Sequence, residues 1–175
     1  MNFNTQLENY TKVPSLSKQY CFGCSQANVH GLKLKFYTDQ KSLFSKLQIP
    51  DHLVGWGRLA HGGVLATILD ETMAWSVIYL LKKFILTKNM TVDFVRPITI
   101  KEKLLVVGKI EEFKNKSEVI VKSSIYNKDD KICTTATANI KLFDSTEARK
   151  FGFIENDAIE ELENVVFASS HPTIK

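Results

Sequence analysis

"GGVLATILDETMAWSVIYLL", Gly62 to Leu81, carries only two charges, Asp70 and Glu71, and its apolar residues occupy nearly every face of a helix of about five turns. Such a segment predicts a buried helix. Its length would also suffice for a membrane span, but two acids near the centre would each cost about 2.5–3.5 kcal/mol there. Thr67, Thr72 and Ser76 give no help, so a core helix is expected and no membrane partner.

The flanks supply the surface that such a helix needs. Before it, "GLKLKFYTDQ" (31–40) alternates Leu32, Leu34 and Phe36 with Lys33 and Lys35, and "SLFSKLQI" (42–49) sets Leu43, Leu47 and Ile49 opposite Lys46 and Gln48. This predicts a hairpin turning at Asp39-Gln40-Lys41. After the helix come "MTVDFVRPI" (90–98), "KLLVVGKIEEF" (103–113), "SEVIVKSSIY" (117–126) and "KICTTATANIKLF" (131–143), separated by turn-prone "KNKS" and "NKDDK". They read as an antiparallel meander, the last strand pointing Ile132, Ala136, Ala138, Ile140 and Leu142 one way and its threonines mostly the other. One helix covering one buried sheet face gives an α+β fold, a curved antiparallel sheet around a central helix. Residues 144–175 differ: "ENDAIEELENV" is acidic and helix-prone and "ASSHPTIK" loosely ordered, so a tail outside the core is expected. The organisation read from the sequence is an N-terminal extension (1–19), one domain (20–143) and this tail (144–175).

A chain of 175 residues, 44% hydrophobic and 24% charged, buries roughly two-thirds of its unfolded surface as one domain. The net charge of +4 comes from basic residues spread along the chain, which lacks the clustered footprint of a nucleic-acid binder. Anionic small molecules remain compatible. The first twenty residues hold no apolar core of signal-peptide length, and three cysteines are a poor disulfide scaffold, so a cytoplasmic protein is expected. "CFGC" (21–24) could join His30 and Cys133 in a zinc site, but a second closely spaced ligand pair is lacking, as is the βαβ context of a redox motif. Small buried cysteines packing near a turn are the expectation, and no metal.

"GWGRLAHGGVLATILDETM" (55–73), followed by "LTKNMTVDFVRPI" (86–98) and preceded by "CFGCSQANVHGLKLKF" (21–36), resembles the hotdog-fold acyl-CoA thioesterases, in the branch of the phenylacetate-degradation (PaaI-like) enzymes. The likeness spans about residues 20–143 and rests on an HGG-x6-D core. It implies that Asp70, nine residues after His61, activates water or attacks directly, and that the Gly62 N–H polarises the thioester carbonyl. His61 would shape that corner, and Thr87 would orient the attacking water. Some relatives carry an asparagine six residues before the histidine, where this chain has Gly55. The family also implies a homodimer, often associated further into a tetramer.

The chemistry agrees with these positions. Thioester hydrolysis needs a nucleophile near the carbonyl carbon and donors for the growing oxyanion, and the first N–H groups of a helix lack intrahelical partners. The double glycine, Gly62 and Gly63, lets the substrate's coenzyme A part approach the backbone closely. Yet eight residues of helix separate Gly62 from Asp70, a rise of about 12 Å, whereas both must lie within about 3 Å of one reacting group. Two copies with antiparallel helices, paired about a two-fold axis, solve this. Asp70 needs a donor such as the Thr87 hydroxyl to stay ionised. Glu71, about 100° round the helix, is expected to face the subunit interface or a basic partner. Arg96, Lys82, Lys83 and Lys88 are candidates for the phosphates of coenzyme A, while Trp56, Trp75 and Phe94 are expected in the core. No cofactor is expected beyond the coenzyme A of the substrate. Two other functions stay open: an acyl-thioester hydratase or dehydratase using His61, and a non-catalytic acyl-CoA-binding protein, to which Gly55 lends weight.

Overall fold

The computed structural model describes Leu7 and residues 10–169. Its long helix α1 runs Gly62–Leu81, as the apolar run predicts. Strands β1 (Thr11–Lys12), β2 (Tyr37–Thr38) and β3 (Ser42–Gln48) precede it, and β4 (Phe84–Phe94), β5 (Lys103–Asn115), β6 (Glu118–Tyr126) and β7 (Ile132–Phe143) follow. All seven lie in one sheet, ordered β1-β2-β3-β5-β6-β7-β4, with every neighbouring pair antiparallel. The helix lies on this sheet, touching β3 to β7. This is the hotdog arrangement.

Ile68, Leu69, Met73 and Val77 of α1, all 0–1% exposed or fully buried, meet Leu104, Val106, Val121 and Ile140 of the sheet. At the closest approach β5 presents Gly108, where a Cβ would lie 2.5 Å from Ser76 Oγ and 2.9 Å from the Thr72 carbonyl. Helix and sheet meet backbone to backbone there. The buried hydroxyls donate to carbonyls one turn back, Thr72 to Ile68 and Ser76 to Thr72, both at 2.7 Å, and so carry no unpaired polar group into the core. By length and composition alone α1 could cross a membrane, but two-thirds of its most apolar window is buried inside the fold. The helix ends without glycine or proline. Lys82 takes a left-handed conformation (φ 54°), and its ammonium donates to the Val166 carbonyl at 2.7 Å, close to the negative end of the helix dipole.

Several expectations need correction. Residues 103–143 do form a meander, β5-β6-β7, but β4 pairs with β7 at the far edge rather than with β5. The reason is the connection 95–102, which passes the start of α1, tied there by Ala60 N–H to the Ile98 carbonyl at 2.8 Å, before β5 begins. The first arm of the predicted hairpin is a strand only at Tyr37–Thr38. Lys33 breaks it with φ 53°, and Leu32 and Leu34 instead donate to the carbonyls of Phe22 and Gly23, closing the cysteine turn. In β7 a bulge opposite Tyr126 leaves Ile132 exposed, while Thr134 is fully buried among residues expected to be apolar. Trp75 is core, stacked on Phe36, but Trp56 (90% exposed) and Phe94 (58%) are not.

The C-terminal stretch is not an appendage. Helices α2 (Ser145–Phe151) and α3 (Asn156–Leu162), then one π-helical turn (Glu163–Phe167), fold back on the core and bury Ala148, Ile159 and Val166. Glu161 accepts the backbone N–H groups of Ser17 and Lys18, at 2.7 and 2.9 Å, so the two flanks hold each other. The remainder of the tail, from residue 170, lies outside the described residues.

Candidate active site

At the start of α1, His61 is the N-cap: its Nδ1 accepts the Gly63 N–H at 3.0 Å. That makes the ring an acceptor at Nδ1, and it occupies the Gly63 amide expected to serve the ligand. A Cβ on Gly63 would lie 3.1 Å from that same nitrogen, so its glycine character serves the cap. Among the described residues nothing accepts from the Gly62 N–H. Gly62 borders a cleft of about 230 Å³ with Leu65, Phe94, Arg96, Pro97 and Ile98. Arg96 is exposed at its rim, donating to the Ile132 carbonyl at 2.5 Å.

Two turns further along the helix, Asp70 Oδ1 accepts the Thr87 hydroxyl at 2.9 Å. Thr87 reaches it because β4 changes register between Thr87 and Asn89. After the buried Phe84, Ile85 and Thr87 are the half-buried side chains before this bulge, Met90 and Val92 after it. Asp70 and Thr87 border a second cleft, of about 360 Å³, with Cys21, Cys24, Glu71 and Trp75. No residue is shared between the two clefts. Within one chain, then, the Gly62 amide and the Asp70 carboxylate face separate spaces. Lys88 follows Thr87 but is ion-paired to Glu118 at 2.6 Å, not free for a ligand phosphate. The hydrogen bond from Lys88, helped by its charge, holds the Glu118 carboxyl below the usual range.

The face of α1 that carries Asp70 is also the least covered. Gly62, Ala66, Thr67, Asp70, Ala74 and Ile78 recur at three- and four-residue spacing and are only half-buried. Buried all round was the expectation; the sheet of one chain leaves this stripe open.

Glu71 departs furthest from what the sequence suggests. Instead of an interface or a basic partner it meets the cysteine turn: Cys21 Sγ donates to Glu71 Oε1 at 3.0 Å. Cys21, Cys24 and Glu71 offer ligand atoms that all lie within 4.8 Å of one another. Burial pushes the Glu71 carboxyl up to about 8, reinforced by the charge and hydrogen bond of Cys21. The Cys21 thiol is pushed down, first by its hydrogen bond from Cys24, then by Glu71 and by the N–H groups of Cys24 and Gly23. Cys24 moves the other way, raised by the same sulfur contact and by burial. The CxxC spacing flagged this turn, but its third member lies fifty residues on and only the fold brings it near. His30 is exposed, and Cys133, on β7, donates to the Lys131 carbonyl; neither joins the group.

Gly55 is more than a missing side chain. Its N–H closes a tight turn on the Leu59 carbonyl at 2.7 Å, and a Cβ there would lie 3.0 Å from His61 Cα. An asparagine in this turn would press on the helix cap.

Sheet and helix together have the hotdog fold. A sequence model of the thioesterase superfamily matches residues 57–134, from the turn before α1 into β7. Among solved structures, a thioesterase-superfamily protein aligns with a TM-score of 0.62 at 17% identity, over 74% of this chain and 69% of its own. PaaI of the Escherichia coli phenylacetic acid degradation operon aligns at 0.56 and 15% identity, over 65% and 81%. A hypothetical thioesterase of Streptococcus pneumoniae, crystallised with coenzyme A, aligns at 0.55 and 17%, over 58% and 81%. No curated protein matches the chain in sequence.

Proposed function

We propose that the protein is a cytoplasmic, homodimeric acyl-CoA thioesterase that converts an acyl-CoA and water to a carboxylic acid and free coenzyme A. The observation that carries the reading is the Thr87–Asp70 hydrogen bond at 2.9 Å, which holds one carboxylate oxygen and leaves the other without a partner among the described residues. That oxygen takes a proton from water, or attacks the thioester carbon itself; either course ends in the same products. The oxyanion forms at the unpartnered Gly62 N–H, where the helix dipole favours negative charge, and collapses with release of the coenzyme A thiolate.

The two halves of this site come from two chains. Pairing across the open stripe of α1 with antiparallel helices brings the Gly62 cleft of one protomer to Asp70 of the other. Strand β4 supports this: it is one of the two edges of the sheet, and Leu86 and Phe94 on it are exposed. Unpaired edges and exposed apolar side chains are what a partner strand covers. Arg96, at the rim beside Gly62, is placed for a phosphate of coenzyme A. The coenzyme A bound to the pneumococcal structure supports that ligand class. The catalytic unit is 20–143, braced by the flanks.

The test is release of thiol from a panel of aromatic, short, medium and long acyl-CoAs, with molar mass measured by light scattering. Thiol release by a dimer or tetramer is expected. Reversible hydration of an enoyl thioester without thiol release, binding without turnover, or hydrolysis by a monomer would each overturn the reading.

A further inference from the structure

The hydrolysis proposed above makes no use of the cysteine turn, yet the turn is built with care. Phe22 and Gly23 are pinned by the N–H groups of Leu32 and Leu34 at 2.8 and 3.0 Å. Glu71 is laid directly against the turn: a Cβ on Gly23 would lie 2.1 Å from Glu71 Cγ, so only glycine lets the carboxylate reach the sulfurs. The N–H groups of Gly23 and Cys24 point at Cys21 Sγ, at 3.2 and 3.4 Å. Donors aimed at sulfur favour thiolate, the form in which cysteine binds metal.

We infer that Cys21, Cys24 and Glu71 form a zinc site whose fourth position opens on the cleft shared with Asp70 and Thr87. Two thiolates and a carboxylate are a borderline-soft donor set of the kind zinc takes, and three protein ligands with one open position is a recurrent zinc geometry. A tetrahedral ion with bonds of about 2.0–2.3 Å holds its ligands roughly 3.5–3.8 Å apart. The donor atoms here, 3.0 Å apart for the Cys21–Glu71 pair and all within 4.8 Å of one another, lie near that spacing, so small rotations close the site. The thiol and carboxyl protons leave to solvent as the ion enters. Bound, the ion ties the N-terminal turn to the middle of α1, one residue from Asp70.

The test uses the full-length protein purified under reducing conditions. Elemental analysis is expected to find one zinc per chain, and chelator-treated protein to take up one Zn²⁺ or Co²⁺, the cobalt form showing the sulfur charge-transfer and intense visible bands of a tetrahedral thiolate site. Cys21→Ser or Cys24→Ser is expected to weaken binding at least about a hundredfold, while Cys133→Ser leaves it unchanged. In the unaltered protein, added Zn²⁺ should slow alkylation of Cys21 and Cys24 at least about tenfold, a readout that needs no variant to fold. Cobalt bound without sulfur bands, alkylation rates indifferent to zinc, or a Cys21–Cys24 disulfide persisting in reductant would each overturn the proposal.

Discussion

Asp70 and Glu71 are neighbours in sequence and about 100° apart around one helix, and that rotation gives them opposite surroundings. Asp70 faces the open stripe, takes one hydroxyl from β4 and borders a cleft. Glu71 turns toward the N-terminal segment, where a glycine makes room for it and two sulfurs receive it. The first surrounding is sparse and leaves an oxygen available for chemistry. The second borders the same cleft but is denser, with burial favouring the protonated acid. A single acidic pair thus meets two different surroundings, because a helix hands consecutive residues to different neighbours.

The comparison breaks most decisively at Asp70. Asp70→Asn keeps the size and the Thr87 contact but removes the base, so turnover of acyl-CoA is expected to fall about a thousandfold or more with the oligomer intact. Wild-type turnover in that variant would remove Asp70 from the chemistry. The strongest blow to the other half is Gly23→Ala. Its methyl collides with Glu71 Cγ, and overpacking of this kind costs about 3 kcal/mol, read as a lower midpoint in urea unfolding. An unchanged midpoint would mean that the turn moves freely and that Glu71 is not clamped. Thr87→Ala follows. It leaves Asp70 without its donor, and kcat is expected to drop about tenfold to a hundredfold with little change in KM; a rise in KM alone would make Thr87 a binding residue instead.

Periodicity made the fold legible because it is a local signal. The run from Gly62 to Leu81 and the alternation in 103–143 could be read without knowing what they pack against. The features that escaped depend on distant contacts. β4 chooses β7 over β5 because of a connection that hooks past Ala60, and no pattern within 90–98 records that choice. Composition argued for a loose acidic tail, yet Ile159 and Val166 fill the core beside the end of α1, a pairing that an acidic average conceals. The candidate site divides in the same way. The spacing of His61, Gly62 and Asp70 on one helix fixes their separation, so it followed from helix geometry that Gly62 and Asp70 face separate clefts of one chain. That Thr87 reaches Asp70 depends on a bulge, and that Glu71 reaches Cys21 on a turn fifty residues away. The CxxC spacing sets Cys21 and Cys24 apart from Cys133 in sequence, and only the fold adds Glu71 to the pair.

The gentlest test compares the two acids through pH. In the fold Glu71 is raised from an ordinary 4.5 to about 8 by burial, so between those values the native state keeps a proton that the unfolded chain releases. Its contribution to stability is therefore intact below about 4.5 and is lost as the pH climbs through about 8. Cys21 works in the opposite sense. Lowered from 9.0 to about 5, first by the Cys24 hydrogen bond, it contributes fully above pH 9 and loses that contribution as the pH falls through about 5. Between pH 5 and 8 the two slopes oppose each other. Glu71→Gln keeps the shape, removes the first slope and, by taking away the Glu71 contact that helps lower Cys21, weakens the second, so chelator-treated variant should gain stability on the equally treated parent as the pH rises from 5 to 8, measured by urea unfolding. A stability difference that stays flat across that interval would show that Glu71 titrates as an exposed carboxylate does, and the contrast between the two acids would reduce to geometry alone.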